Sequence, residues 1–135
     1  MTTKPVLITL ITLLGLLLLG CDYVRPPIQG RQDPYVPAQM HFDSDTLRRN
    51  TAIGTPVVTR DPAGLLFVTV PIRSAINKTL YVDYRVTFLD QSGQIVGQRL
   101  GPFTKTLEPN TPDQIVVNST SERAADFQID FRYAR

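Results

Sequence analysis

Cysteine and histidine each occur once in these 135 residues, and tryptophan does not occur at all. Each scarcity excludes a class of explanation. A single cysteine, Cys21, cannot close an internal disulfide, so packing and strand pairing must hold the fold. A single histidine, His41, offers one candidate base for a Ser-His-Asp arrangement, and no Gly-x-Ser-x-Gly turn is present to carry a nucleophile. One histidine with carboxylates is also a poor ligand set for zinc. Glu108 and Glu122 are the only glutamates, both in turn-rich stretches, which leaves little for the paired acids of glycan cleavage. Asp43-Ser44-Asp45 has the spacing of a calcium loop's opening, but the glycine and closing glutamate of such a loop are missing, so helix capping or a turn explains it better. Phosphate-binding and dinucleotide fingerprints are absent. The net charge is +2, and Arg48-Arg49 is the only adjacent basic pair, so there is no basic stripe to follow a nucleic-acid backbone. These exclusions imply a chain that is not an enzyme and needs no cofactor or metal.

No apolar run reaches the ~20 residues that span a bilayer comfortably. The longest, Val6 to Leu19, instead forms the middle of a three-part export signal. Lys4 supplies the positive start, and Leu18-Leu19-Gly20-Cys21 closes the segment with a small residue before the cysteine. That closing tetrad resembles a lipobox, the processing site of bacterial lipoproteins; Leu19 stands where Ala, Ser or Thr is more usual. Cleavage before Cys21 removes residues 1–20 and leaves 115, large enough for one domain with a real core. Cys21 then carries a diacylglycerol anchor. One fatty chain holds a protein only marginally, at ~0.8 kcal/mol per buried CH₂, whereas two or three hold it stably. The expected location is a membrane lipid anchor facing the periplasm. Asp22 is the candidate sorting residue, and the choice between inner and outer membrane stays open.

Residues 21–39 read as the lipidated cysteine and a tether, because Pro26-Pro27, Gly30, Pro34 and Pro37 interrupt any regular element. The 18 residues from Asp22 to Gln39 could reach roughly 55 Å at ~3.1 Å per residue. Residues 40–135 then form the domain. Ile53 to Arg60, Leu65 to Ala75, Thr79 to Asp90 and Ala125 to Ala134 are the strongest strand candidates. In the third, Val82, Tyr84, Val86 and Phe88 alternate with Asp83, Arg85 and Thr87; in the last, Phe127, Ile129, Phe131 and Tyr133 alternate with Gln128, Asp130 and Arg132. In the second, Leu66, Val68, Val70 and Ile72 share a side, and Pro71, lacking an N–H, suggests a sheet edge or a bulge. Gln94 to Gln98, Phe103 to Leu107 and Gln114 to Asn118 read as shorter strands, and Ser119 to Ala124 as one helical turn. Asp61-Pro62-Ala63-Gly64 and Asp90-Gln91-Ser92-Gly93 are turn sequences, the second needing Gly93 at positive φ. About seven strands with turns every 8–12 residues and no long helical period predict an all-β, antiparallel Ig-like sandwich. The Cys…Trp…Cys core of antibody domains is absent.

Two polar sets are left over. Asp83, Arg85, Gln128, Asp130 and Arg132 face away from the apolar rows; they form either cross-strand ion pairs on a solvated face or a contact face for a protein partner. Asn118 to Arg123 is a polar loop at one end of the sandwich, where loops often bind, although turn chemistry alone accounts for it.

The run Leu80-Tyr81-Val82-Asp83-Tyr84-Arg85-Val86-Thr87-Phe88-Leu89-Asp90 with Gly93, followed by Leu107-Glu108-Pro109 and an alternating strand, resembles the central hairpin of YcfL-like lipoproteins. The resemblance covers about residues 40–135, in addition to the shared lipobox architecture. It implies a small Gram-negative lipoprotein with an Ig-like sandwich and no assigned activity. In enteric genomes such proteins sit beside a lipoprotein activator of cell-wall synthesis, which implies a role in envelope maintenance. It assigns no functional residue. The expected function is a non-enzymatic binding or support module for an envelope partner. A subunit of a secretion or conjugation assembly is the alternative, and a cell-wall-acting enzyme or accessory ranks below both.

Cys21→Ser is expected to abolish labelling by fatty-acid precursors and to move the protein from the membrane to the soluble fraction. Continued membrane attachment of that variant would mean a retained transmembrane segment instead.

Overall fold

Alternating apolar rows bury themselves only against a second set of such rows. The computed structural model, which describes residues 37–135, stacks two sheets in this way. The signal segment, Cys21, Asp22 and the tether up to residue 36 lie outside the described residues. Among the described residues there are eight strands and one short helix: β1 (Met40–Phe42), α1 (Asp45–Asn50), β2 (Thr51–Ile53), β3 (Val57–Arg60), β4 (Leu66–Ser74), β5 (Leu80–Leu89), β6 (Ile95–Leu107), β7 (Asp113–Asn118) and β8 (Asp126–Tyr133). One sheet runs β1-β8-β5-β6. In the other, β4 is central, with β7 on one side and β2 and β3 end to end on the other. Pairing is antiparallel throughout except between β1 and β8, which are parallel.

The sequence-predicted inward rows form the core, except that Tyr133, at the end of its row, is exposed and Tyr84 is half-buried. Leu66, Val68, Val70 and Ile72 of β4 are buried and face Val82, Val86 and Phe88 of β5 and Phe127, Ile129 and Phe131 of β8. Each fully buried side chain of this kind contributes ~1.5–3 kcal/mol relative to exposure. Both turn sequences behave as read. Asp61 Oδ1 accepts from the Ala63 and Leu65 N–H groups, each at 2.9 Å, and Gly93 sits at φ 78°.

Three expectations are corrected, and the choice left open at Pro71 is decided. The run from Ile53 to Arg60 is not one strand, because Gly54-Thr55-Pro56 separates β2 from β3. Ile53 pairs with Ile72 and Val57 with Thr69, so this edge holds one residue more than β4 opposite it, a bulge. Pro71 is therefore not at a sheet edge but in the central strand, beside the bulge. Its carbonyl accepts from the Gly54 N–H at 2.9 Å. The N–H and C=O of one strand residue point the same way, so the donor that Pro71 lacks falls at the break.

The two short strands expected between residues 94 and 107 are one strand, β6, of 13 residues. Its register against β5 shifts twice, and Gly97 and Gly101, at φ 71° and 96°, supply left-handed conformations where it bends. Apolar periodicity breaks at such irregularities, which is why the sequence suggests two pieces.

Ser119 to Ala124 is a turn closed by the Ala124 N–H on the Ser121 carbonyl, at 3.2 Å, and not a helical turn. Ser119 is turned inward: its Oγ accepts from the Leu66 N–H and donates to the Ser121 carbonyl, both at 2.9 Å. The helix lies elsewhere. Ser44 caps α1, its hydroxyl accepting from the Leu47 N–H at 3.3 Å, with Asp45 in the first turn and Arg48 and Arg49 in the last. These charges suit the helix dipole, and the capping reading of Asp43-Ser44-Asp45 holds. Six residues with one buried side chain, Leu47, show no helical period.

Leu47 is wholly buried and anchors α1 to the core. Leu47→Ala is expected to cost about 2–5 kcal/mol, lowering the urea midpoint without changing the slope of the transition.

Candidate functional site

Burying one face of β5 and β8 forces the intervening residues onto the outer face of the β1-β8-β5-β6 sheet. Register pairs Asp83 with Arg132, Arg85 with Asp130 and Thr87 with Gln128, so the five polar residues singled out from the sequence form one patch. The neighbouring strands extend it. β1 places His41 beside Asp130, with Asp43 next along the chain, its N–H donating to the Phe131 carbonyl at 3.0 Å. β6 places Thr104 beside Asp83 and contributes Arg99. A groove of ≈ 310 Å³ lies here, lined among others by His41, Asp43, Asp83, Arg85, Arg99, Asp130 and Arg132. Gln128 stands outside it and steadies Asp130, donating from Nε2 to Oδ1 at 2.9 Å.

The charges in this patch fall into two groups. Asp83 is committed: only 9% exposed, it accepts from Thr104 Oγ1 at 2.7 Å and from Arg132 Nη2 at 3.1 Å. The Thr104 hydroxyl, opposed by partial burial and aided by Arg132, holds its carboxyl below the ordinary 3.8. This pair is the cross-strand ion pair that the alternation allowed. Arg85 and Arg99 differ. Both are exposed, and among the described residues neither side chain makes a hydrogen bond or ion pair, although Asp130 stands opposite Arg85.

The same four strands are stiffened by aromatic rings. Phe42 stacks on Phe131 with centroids 5.1 Å apart, Tyr84 lies 6.3 Å from Phe131, and Phe103 lies 5.4 Å from Tyr84. One ring from each strand forms a row across the sheet, and three of these residues, Phe42, Tyr84 and Phe131, also line the groove. Cross-strand aromatic pairs of this kind help to fix register.

The polar loop Asn118 to Arg123 is turned to structural use. Arg60 donates from Nη1 to the Gly64 carbonyl at 2.7 Å and the Glu122 carbonyl at 3.2 Å, and from Nη2 to the Ala124 carbonyl at 2.7 Å. Arg123 pairs with Asp90 at 3.1 Å. The Ser92 hydroxyl, followed by the Gln94 N–H, holds the Asp90 carboxyl below its ordinary range. Its groups thus hold the β3–β4 and β5–β6 turns to the β7–β8 loop. Among the described residues no group of three or more His, Cys, Asp or Glu side chains could hold a metal ion.

Sequence reasoning missed His41, Asp43, Arg99 and Thr104 as members of the patch. His41 and Asp43 alternate with Phe42, a usable signal in so short a strand only once its neighbour is known. Arg99 lies among the bends of β6, where alternation no longer reports the face. Cys21 and Asp22 lie outside the described residues.

A family model described as a protein of unknown function (DUF1425) matches residues 38–133, and the chain belongs to that family. Among solved structures, Campylobacter jejuni cj0090 is similar with a TM-score of 0.62 and 16% identity, over 71% of this chain and 98% of that one. A DUF1425 family member from Shewanella sp. pv-4 is similar with a TM-score of 0.53 and 22% identity, over 63% and 79% of the respective chains. At these identities the likeness is one of fold. No curated protein matches the chain.

Asp83, Asp90 and Asp113 all have carboxyls held below the ordinary 3.8, Asp113 chiefly by its bond with Lys105. A carboxyl lowered in the folded state stabilises it above the unfolded value, and that contribution is lost as pH falls through the folded value. The urea midpoint is therefore expected to drop between about pH 5 and pH 2. Asp83→Asn, which keeps an acceptor for Thr104 but carries no charge, should be less stable at neutral pH and less steeply destabilised by acid.

Proposed function

We propose that this DUF1425 protein is a YcfL-like lipoprotein of the bacterial envelope, anchored through acylated Cys21, and that its sandwich is a non-enzymatic module binding a protein partner in the periplasm. The anchoring half is supported by Lys4, the apolar Val6 to Leu19 run and the lipobox ending at Cys21. Asp22 is the residue that would direct it between membranes. The tether would let the domain meet a partner tens of ångströms from the bilayer.

One observation carries the binding half: Arg85 and Arg99 line a single groove without a bonded counter-charge, while their neighbours Asp83 and Arg132 are paired. Exposed paired charges contribute little. Unpaired guanidinium groups over a rigid sheet are poised for a partner's acidic groups, with no internal bond to break first. Envelope maintenance fits such a module, which would work by holding another protein in place.

The test is site-directed photo-crosslinking in intact cells. A crosslinking residue in place of His41, at the β1 end of the groove, should trap a discrete membrane-associated partner, whereas one in place of Val116, on the outer face of the other sheet, should not. Reversing both Arg85 and Arg99 to glutamate should reduce the adduct at least tenfold without shifting the unfolding midpoint. An adduct indifferent to that reversal would defeat the binding face, and a purified activity lost with His41→Ala would defeat the non-enzymatic reading.

A further inference from the structure

Two aspartate–arginine pairs lie side by side on the outer face of β5 and β8. Register sets Asp83 opposite Arg132 and, one row on, Arg85 opposite Asp130. The face, the strands and the chemistry are the same; only the acid and the base have changed strands. Yet the first pair is closed, with Arg132 Nη2 3.1 Å from Asp83 Oδ2, and the second is open.

The two carboxylates differ in what else holds them. Asp83 is nearly buried, and the Thr104 hydroxyl, from β6 on the side away from β8, donates to its Oδ1 at 2.7 Å. Its Oδ2 is left for Arg132. Asp130 is exposed, and its Oδ1 accepts from Nε2 of Gln128, two residues back on its own strand, at 2.9 Å. Same-face neighbours along a strand are ~6.6 Å apart, whereas directly opposed residues stand about 4.5–5.5 Å apart. Proximity alone would therefore join Asp130 to Arg85. An exposed ion pair gains little net stability, so one hydrogen bond along β8 is enough to turn the carboxylate from β5. The His41 side chain, on the β1 side of Asp130, makes no competing bond among the described residues.

We infer that Gln128 is a positioning residue: its bond to Asp130 holds the Arg85–Asp130 pair open and keeps the Arg85 guanidinium free for a carboxylate from outside the chain. This rests on the groove being the partner surface, and it names the device that keeps that surface receptive. Gln128 stands outside the groove and acts only through Asp130. Arg99 needs no such device. Val86 pairs with Leu100, which brings Arg99 level with about Thr87, so no acidic residue of β5 stands opposite it. Arg85 and Arg99 are then diagonal neighbours on adjacent strands, and side chains of their length can reach one ligand carboxylate together.

The state of the pair can be read in the full chain, in detergent and without a partner. An arginine-selective dicarbonyl reagent modifies each guanidinium at a rate that mass spectrometry follows. Arg132, paired with Asp83, should react slowly, and Arg85 and Arg99 faster. Gln128→Leu removes the donor, so Asp130 should close on Arg85 and slow it about two- to fivefold, the range an exposed ion pair can impose. Arg99 should keep its rate. Adding Asp130→Asn, which leaves Arg85 no counter-charge, should restore the Arg85 rate. The crosslinked adduct should follow: lower with Gln128→Leu, and as high in the double variant as with Asp130→Asn alone. An Arg85 rate indifferent to Gln128→Leu would overturn the inference. So would a double variant that stays slow or stays low in adduct, which would mark a direct Gln128 contact or a loosened sheet. If Arg85 slows and recovers as expected while the adduct ignores the reversal of Arg85 and Arg99, the open pair stands and the partner reading falls.

Discussion

The fold depends on one contact, the face-to-face packing of the β4 row, Leu66, Val68, Val70 and Ile72, on the inward rows of β5 and β8. The described domain contains no cysteine to reinforce it. Apolar burial at ~25 cal/mol per Å² must therefore offset most of the chain entropy lost on folding. Strand side chains repeat every two residues, so committing Val82, Val86 and Phe88 to the core commits Asp83, Arg85 and Thr87 to the other face. The candidate site is the reverse side of the core. A one-residue slip of β5 would bury its charges and expose its valines, so the groove is as well specified as the core behind it.

Polar groups finish what the apolar contact begins, at the ends and edges of the sheets. Arg60 gathers three carbonyls from the β3–β4 turn and the β7–β8 loop, and Ser119 satisfies the first N–H of β4. A buried backbone group left without a partner would cost about 1–3 kcal/mol. Lys105 of β6 bonds the Gln114 carbonyl at 2.9 Å and Asp113 at 2.8 Å, joining edge strands of the two sheets. Bulges interrupt β6 and the β2–β3 edge, and β1 has only three residues. Such edges are poor templates for uncontrolled strand addition.

Legibility in the sequence followed the regularity of the strands. The rows of β4, β5 and β8 were readable because each alternates over several residues, and the polar faces of β5 and β8 came with them. The β2–β3 break and the joined β6 were misread where a bulge resets the alternation, at Gly54 and around Gly97 to Gly101. Of the two readings open for Pro71, a sheet edge or a bulge, the bulge holds; a missing donor signals a gap in the ladder without saying which strand lies opposite. Ser119 to Ala124 reads as a helical turn because a serine hydroxyl offers the same acceptor to a distant strand as to its own turn.

The sequence by itself determined the expectation of a lipid anchor at Cys21, the dependence on packing over crosslinks, the all-β class and the outward side of Asp83, Arg85, Gln128, Asp130 and Arg132. These follow from composition and from a period that each strand carries locally. Tertiary structure decided which strands became neighbours, and so which charges met. It locked Asp83 to Arg132 and Thr104, brought His41 in on β1 with Asp43 just beyond it, and left the Arg85 and Arg99 side chains unpaired at the opposite side of the groove. Pairing partners and register depend on contacts between residues far apart in the chain and on bulges that change the count. A local period carries no information about either.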